Sequence, residues 1–201
     1  MKTKRIRLNV ILFFVTAVFL AGCNATVTHK EGEWASYESI VMKPNSNGDT
    51  LAYFNDKPFT GKTSRDYDNH KKEFEAEYKD GKLNGLLINW DRNGNKRSEK
   101  TYVNDNPDGP YTFYDDKGLK SEEGFQRYDP KNNTWLYEGI IIKYDEGKKF
   151  SEETYKNDTL NGPYTFYYDN GQKKEEGIYN KGEVVLEKTK FWDENGKPSE
   201  N

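Results

Sequence analysis

The chain has few of the residues from which catalytic and metal sites are usually built. Its one cysteine, Cys23, leaves no partner for an intramolecular disulfide. Its two histidines, His29 and His70, stand far apart, and neither has a cysteine or a second histidine at ligand spacing, which argues against zinc. No nucleophile elbow accompanies either of them. There is no Gly-x-Gly-x-x-Gly step opening a helix and no phosphate loop, so the glycines are left to serve turns. Basic blocks are also missing. The formal charge is −3, but the first 22 residues hold Lys2, Lys4, Arg5 and Arg7 and no acid, so the remainder carries −7. Such a body offers no counterion release to DNA or RNA, which argues against nucleic acid and suits a basic protein partner.

Apolar residues are scarce as well. Only 33% of the chain is hydrophobic against 32% charged, with a mean hydropathy of −1.12, a balance that by itself fits disorder. The aromatic content of 15% opposes that reading. Tyrosine and phenylalanine bury a large face and still wet one edge, which suits a thin, elongated layer without a deep central core.

The one long apolar run, Leu8 to Leu20, follows a basic start and is short for a bilayer span, so 1–22 reads as a signal peptide. Leu20-Ala21-Gly22-Cys23 resembles the bacterial lipobox. That resemblance implies lipidation of Cys23, cleavage before it and usually N-acylation, and multiple acyl chains anchor a protein stably. The alternative is a plain signal peptide, or an N-terminal anchor, with an incidental cysteine. Asn24 stands where enterobacterial lipoproteins retained at the inner membrane have Asp. In a Gram-negative source that implies the outer membrane.

The rest of the chain is organised around Tyr155–Tyr179, two aromatic-rich runs joined by Asp169-Asn170-Gly171, a strong hairpin signal. An aromatic followed by Asp recurs at Tyr67, Trp90, Tyr114, Tyr144, Tyr168 and Trp192, with spacings of 23, 24, 30, 24 and 24 residues. A period in this range marks a repeat array. Each unit opens on a step such as Asn84-Gly85, Asp108-Gly109, Glu138-Gly139 or Asn161-Gly162. A strand and then a turn follow, the turn closing on Gly94, Gly118, Gly147, Gly171 or Gly196, with His70 in that place in the first unit. These positions call for positive φ. Five residues later comes an acid (Glu75, Glu99, Glu123, Glu152, Glu176), and eight residues later an aromatic (Tyr78, Tyr102, Tyr155, Tyr179), a rule that Gln126 breaks.

Tyr155-Lys-Asn-Asp-Thr-Leu-Asn-Gly162, Tyr78-Lys-Asp-Gly-Lys-Leu-Asn-Gly85 and the Asp91–Glu99 step resemble the bacterial variant of the MORN (membrane occupation and recognition nexus) repeat. The resemblance covers roughly 46–201. It implies an all-β, elongated array of about five to six antiparallel β-hairpins forming a twisted, groove-bearing sheet, roughly 55 Å long at about 4.8 Å per strand. Proteins of this kind include lipoproteins of no assigned role and a group named as YwqK-family antitoxins.

Several constellations invite a functional reading. The Glu ladder is read as a solvated face interleaved with Lys96, Arg97, Lys100, Lys120, Lys149, Lys173 and Lys174 rather than as a cation site. The Asp of each aromatic-Asp step lacks the further ligands of a calcium loop and fits a turn residue. Tyr67, Trp90, Tyr114, Tyr144, Tyr168 and Trp192 are expected to form one ladder, either packing neighbouring hairpins together or lining a groove for an extended peptide, glycan or lipid. The 30-residue interval holds Asp129-Pro130 and Asn132-Asn133, read as a longer turn carrying Trp135 and Tyr137. Those two either bind a partner or start the next strand and pack.

The expected organisation is a signal peptide (1–22), a lipid-anchored tether and docking segment (23–45) and a repeat domain (46–201) whose first part, 46–60, is a degenerate or capping repeat. The expected role is non-catalytic, without cofactor or metal, and membrane-bound through the lipid on Cys23 in an extracytoplasmic space. The partner is another protein, either an envelope component or a toxin. An envelope hydrolase or glycan-binding protein is the further alternative.

Overall fold

A computed structural model describes residues 34–199. The leader 1–22, Cys23, His29 and the rest of the tether up to residue 33 lie outside the described residues. The strands follow in the order β1 (Trp34–Ser36), β2 (Val41–Pro44), β3 (Thr50–Phe54), β4 (Lys57–Pro58), β5 (Gly61–Asp66) and β6 (Lys72–Lys79). Then come β7 (Lys82–Trp90), β8 (Lys96–Val103), β9 (Asn106–Tyr114), β10 (Lys120–Asp129), β11 (Thr134–Tyr137) and β12 (Gly139–Asp145). The last six are β13 (Lys148–Lys156), β14 (Thr159–Tyr167), β15 (Lys173–Asn180), β16 (Glu183–Val184), β17 (Lys190–Trp192) and β18 (Pro198–Ser199).

From β5 onward each strand pairs antiparallel with its predecessor in one 15-stranded sheet, except that β11 and β16 branch from β10 and β15. The fold is all-β, a row of antiparallel hairpins, as the period implies. The N-terminal segment docks on it: β1 runs parallel to β5, and β2–β4 form a separate three-stranded sheet. Ala35, Ala52 and Phe59 make a small buried core there, with Ile40, Phe54 and Tyr78 against it. The cap therefore includes residues as early as Trp34, and position 46 falls in the β2–β3 turn.

Two kinds of turn alternate, except that Glu146-Gly147, on the aromatic-Asp edge, is also a two-residue turn with positive φ at both positions. On one edge Asn55-Asp56, Asp80-Gly81, Asn104-Asp105, Asn157-Asp158 and Lys181-Gly182 all have positive φ at both central positions, the geometry that matches strand twist in a two-residue hairpin. The second residue of four of these turns donates its N–H to the preceding unit, at Phe59, Leu83, Tyr137 and Leu160, over 2.8–3.1 Å. These bonds clip successive hairpins together.

The opposite edge carries the aromatic-Asp turns. Gly171 N–H donates to Tyr168 O and Tyr168 N–H to Gln172 O, a turn that ends on a left-handed residue. The closing glycines have φ between 77° and 87°, and His70 has φ 60°, as expected. Asn84-Gly85, Asp108-Gly109 and Asn161-Gly162 behave differently from the sequence reading: they lie inside β7, β9 and β14 rather than ahead of them. Register shifts between Ala76/Tyr78, Lys100/Tyr102 and Glu153/Tyr155 lie beside them, and φ of 118–147° makes each glycine part of a bulge.

Alternation gives the sheet two unlike faces. Thr63, Ala76, Tyr111, Ile141, Glu153 and Tyr164 point to one face and are buried, so the core is a line of residues along that inner face. The outer face carries the Glu ladder and the exposed Leu86, Phe125 and Ile140.

Candidate binding face

Two units share the hexapeptide Gly-Pro-Tyr-Thr-Phe-Tyr, at 109–114 and 162–167. Alternation turns Tyr111 and Phe113 inward on β9, and Tyr164 and Phe166 inward on β14. Tyr111 faces Gly124 across the ladder and Tyr164 faces Gly177, so a tyrosine ring meets a strand position without a side chain. The Tyr111 hydroxyl donates to Glu122 Oε1 at 2.7 Å, and Tyr164 donates to Glu175 Oε1 at 2.6 Å. Burial, then the bond to Glu175, pushes the Tyr164 hydroxyl up to about 12, and Tyr111 is raised by the same causes from Glu122.

The 30-residue interval is explained by this face. Gln126 stands where the other units place an inward tyrosine, and it pairs across the ladder with Gly109 and with Tyr137. Strand β11 supplies the missing ring. Tyr137 lies 5.9 Å from Tyr111 and 5.7 Å from Tyr155, and its hydroxyl donates to Glu122 at 3.4 Å. In the equivalent unit Tyr179 sits 4.5 Å from Tyr164. Gln126 is enclosed at 1% exposure, and its Nε2 has no hydrogen-bond partner among the described residues. Trp135 meets Tyr137 edge-on at 5.4 Å and stays 40% exposed. Of the two sequence readings, Tyr137 packs, while Trp135 presents an open ring at the head of the band.

Between the two tyrosine–glutamate pairs, Lys143 donates to Glu153 Oε2 at 2.9 Å. Burial opposes the ammonium, but the bond to Glu153 and its charge outweigh that, and the lysine pKa is raised. Lys100 lies 4.7 Å from the Phe113 ring, and burial lowers its pKa. Lys100 is thus an inner-face residue, unlike the outer lysines it was grouped with. Among the described residues no three His, Cys, Asp or Glu side chains come together as a metal site. The band offers ring faces, hydroxyls and carboxylates, the equipment of recognition.

The six aromatics expected as one ladder occupy two registers. Trp90, Tyr114, Tyr144 and Trp192 face outward at or beside the ends of their strands, with Tyr167 as their equivalent in the fifth unit. Tyr67 and Tyr168 stand one residue later, as first residues of turns where other units have Asp91, Asp115 and Asp193. The turns differ accordingly: Asp91 Oδ1 accepts two turn N–H groups, whereas in the tyrosine units Asn69 and Asn170 each accept one, from Lys71 and Gln172. The freed tyrosines reach the next turn, Tyr67 donating to Trp90 O at 2.9 Å and Tyr168 to Trp192 O at 2.8 Å.

The outer rings are tied into the Glu ladder. Tyr114 donates to Glu99, Tyr144 to Glu123 and Tyr167 to Glu152, and each acid also takes the lysine three residues before it. Burial and then the glutamate push Tyr114 and Tyr144 up to about 12. Lysines lie over Trp90, Tyr167 and Trp192 at 5.5, 4.6 and 5.9 Å. These contacts bind hairpin to hairpin.

Tyr111, Glu122, Lys143, Glu153, Tyr164 and Glu175 were not singled out from the sequence. Their signal is the doubled acid at 122–123, 152–153 and 175–176, of which alternation turns one outward and one inward.

A family profile described as MORN repeat variant matches residues 83–104 and 160–181. These two segments are MORN-variant repeats. Each match covers one hairpin, β7–β8 or β14–β15, with its aromatic-Asp turn, so the two-residue turns are the joints between repeats. No curated protein matches the chain.

Proposed function

We propose that this repeat array is a non-catalytic binding module that holds a protein partner along its inner face and is displayed at the cell envelope by lipid on Cys23. The observation that carries the reading is Trp135, 40% exposed and edge-on to Tyr137, at the head of the tyrosine–glutamate band. It sits on the hairpin that breaks the 24-residue period, and departures from a regular scaffold are where binding concentrates. Aromatic rings at such a position make good anchors because they bury much area at little entropic cost. The lipobox-like step ending at Cys23 supports surface display, at the outer membrane in a Gram-negative source.

Within that reading the partner is an envelope component or, on the YwqK-like resemblance, a toxin that the chain neutralises. The −7 body favours a basic toxin, since complementary charge speeds encounter. Affinity capture from the source cells' envelope and secretions tests this, using wild-type chain against Trp135→Ala and Tyr137→Ala. One dominant protein lost from both variants is the expected result. Retention of the same proteins on all three columns rejects the inner face as the site.

A further inference from the structure

The doubled acids differ in how their charge is answered. Outward-facing Glu123 and Glu176 each hold a lysine ammonium at 2.6 Å. Their inward neighbours Glu122 and Glu175 receive only tyrosine hydroxyls. Lys143, the cross-strand partner of Glu122, is within electrostatic reach, but its ammonium is bonded to Glu153 at 2.9 Å. Neither Glu122 nor Glu175 has a cation in ion-pair contact among the described residues. Both are half-buried, and rings flank each one: Tyr111 and Tyr137 about Glu122, Tyr164 and Tyr179 about Glu175. A carboxylate beside aromatic faces suits a cation, which gains an ion pair and the attraction of the rings together.

Resting on the proposal that the inner face binds a protein, we infer that Glu122 and Glu175 are anchor points for two lysine or arginine side chains of one extended segment of the partner. The two acids share one row of the sheet, running Glu122–Lys143–Ser151–Phe166–Glu175. That row spans four strand spacings, roughly 19 Å, which an extended segment covers in about six residues. The partner therefore carries basic residues about six apart, matching the acidic balance of the body.

The test uses the full lipidated chain in detergent and fluorescein-labelled twelve-residue serine/threonine peptides. These carry two arginines six apart, two adjacent arginines, one arginine, two glutamates or no charge. Anisotropy is expected to rank the six-apart peptide about tenfold tighter than the others, with the preference fading in high salt. Glu122→Gln and Glu175→Gln, which keep an acceptor for the tyrosines, remove that preference, while Glu123→Gln and Glu176→Gln retain it. Far-UV circular dichroism establishes that each variant is folded, and the spacing series on the wild-type chain stands without them. Equal binding of all basic peptides, no binding of any, or a preference that survives both inner-face substitutions overturns the inference. An uncharged peptide that binds and perturbs Trp135 emission, a signal lost in Trp135→Phe, keeps the inner face as a binding site while overturning the cationic anchors.

Discussion

Tyr164 lies across Gly177 so closely that a Cβ on that glycine would stand 2.7 Å from the ring's Cε1 and hydroxyl. The two residues are cross-strand partners, and the same ring donates to Glu175, so the glycine holds the position of an inner-face acid through the tyrosine. Gly177→Ala is expected to cost about 1–3 kcal/mol through overpacking. Thermal unfolding should show a fall of several degrees, and an unchanged midpoint would contradict this packing.

The two-residue turns act as clips, and Asp158 separates their parts. Its N–H donates to Tyr137 O, while its carboxylate accepts Tyr137 N–H. Asp158→Gly keeps the positive φ and the first bond but loses the second. The expected cost is about 1 kcal/mol, with faster hydrogen exchange at the Tyr137 amide and unchanged exchange at distant strands.

The outer ladder predicts a pH profile with two edges. Glu123, Glu152 and Glu176 are held below the usual carboxylate range, chiefly by the lysines three residues earlier. Groups depressed in the fold contribute stability above their unfolded pKa and lose it as pH falls through the folded value, so the melting temperature should drop below about pH 4.5. Tyr114 and Tyr144 of that ladder, and Tyr164 of the inner face, all raised to about 12, act in the opposite sense. Their contribution is complete below about pH 10 and is lost as pH rises toward 12. Absorbance at 295 nm should show a late tyrosine class in the folded chain, and Tyr164→Phe should diminish it.

The fold was readable in advance because hairpin repeats write their rules locally. Positive φ at Gly171 and His70 follows from turn chemistry, and the strands from alternation. The make-up of the inner face was not readable from the repeating aromatic-Asp step. Tyr67 and Trp192 share that step but not a register, because Tyr67 holds the first position of its turn, where the other unit has Asp193. Since the side-chain period is two, a shift of one decides what a residue faces. The role of Tyr137 as a stand-in for the ring missing at Gln126 depends on β11 branching from β10, a contact that no local pattern encodes.

Trp135 and Tyr137 should separate binding from folding. Trp135 is 40% exposed, so Trp135→Ala is expected to cost no more than about 1 kcal/mol. Tyr137 packs on Tyr111 and Tyr155, and Tyr137→Ala should cost about 2 kcal/mol or more while opening the enclosed Gln126 to solvent. Denaturant titration of both variants checks the difference.

The central claim, that a partner lies along the inner face, is tested most directly by site-specific photo-crosslinking in intact cells. A benzophenone side chain would replace Trp135 on the inner face or Ile140, 59% exposed, on the outer face. The account predicts one predominant protein adduct from position 135 and none from position 140. An adduct from 140 with none from 135 would place the partner on the opposite side of the sheet and contradict it.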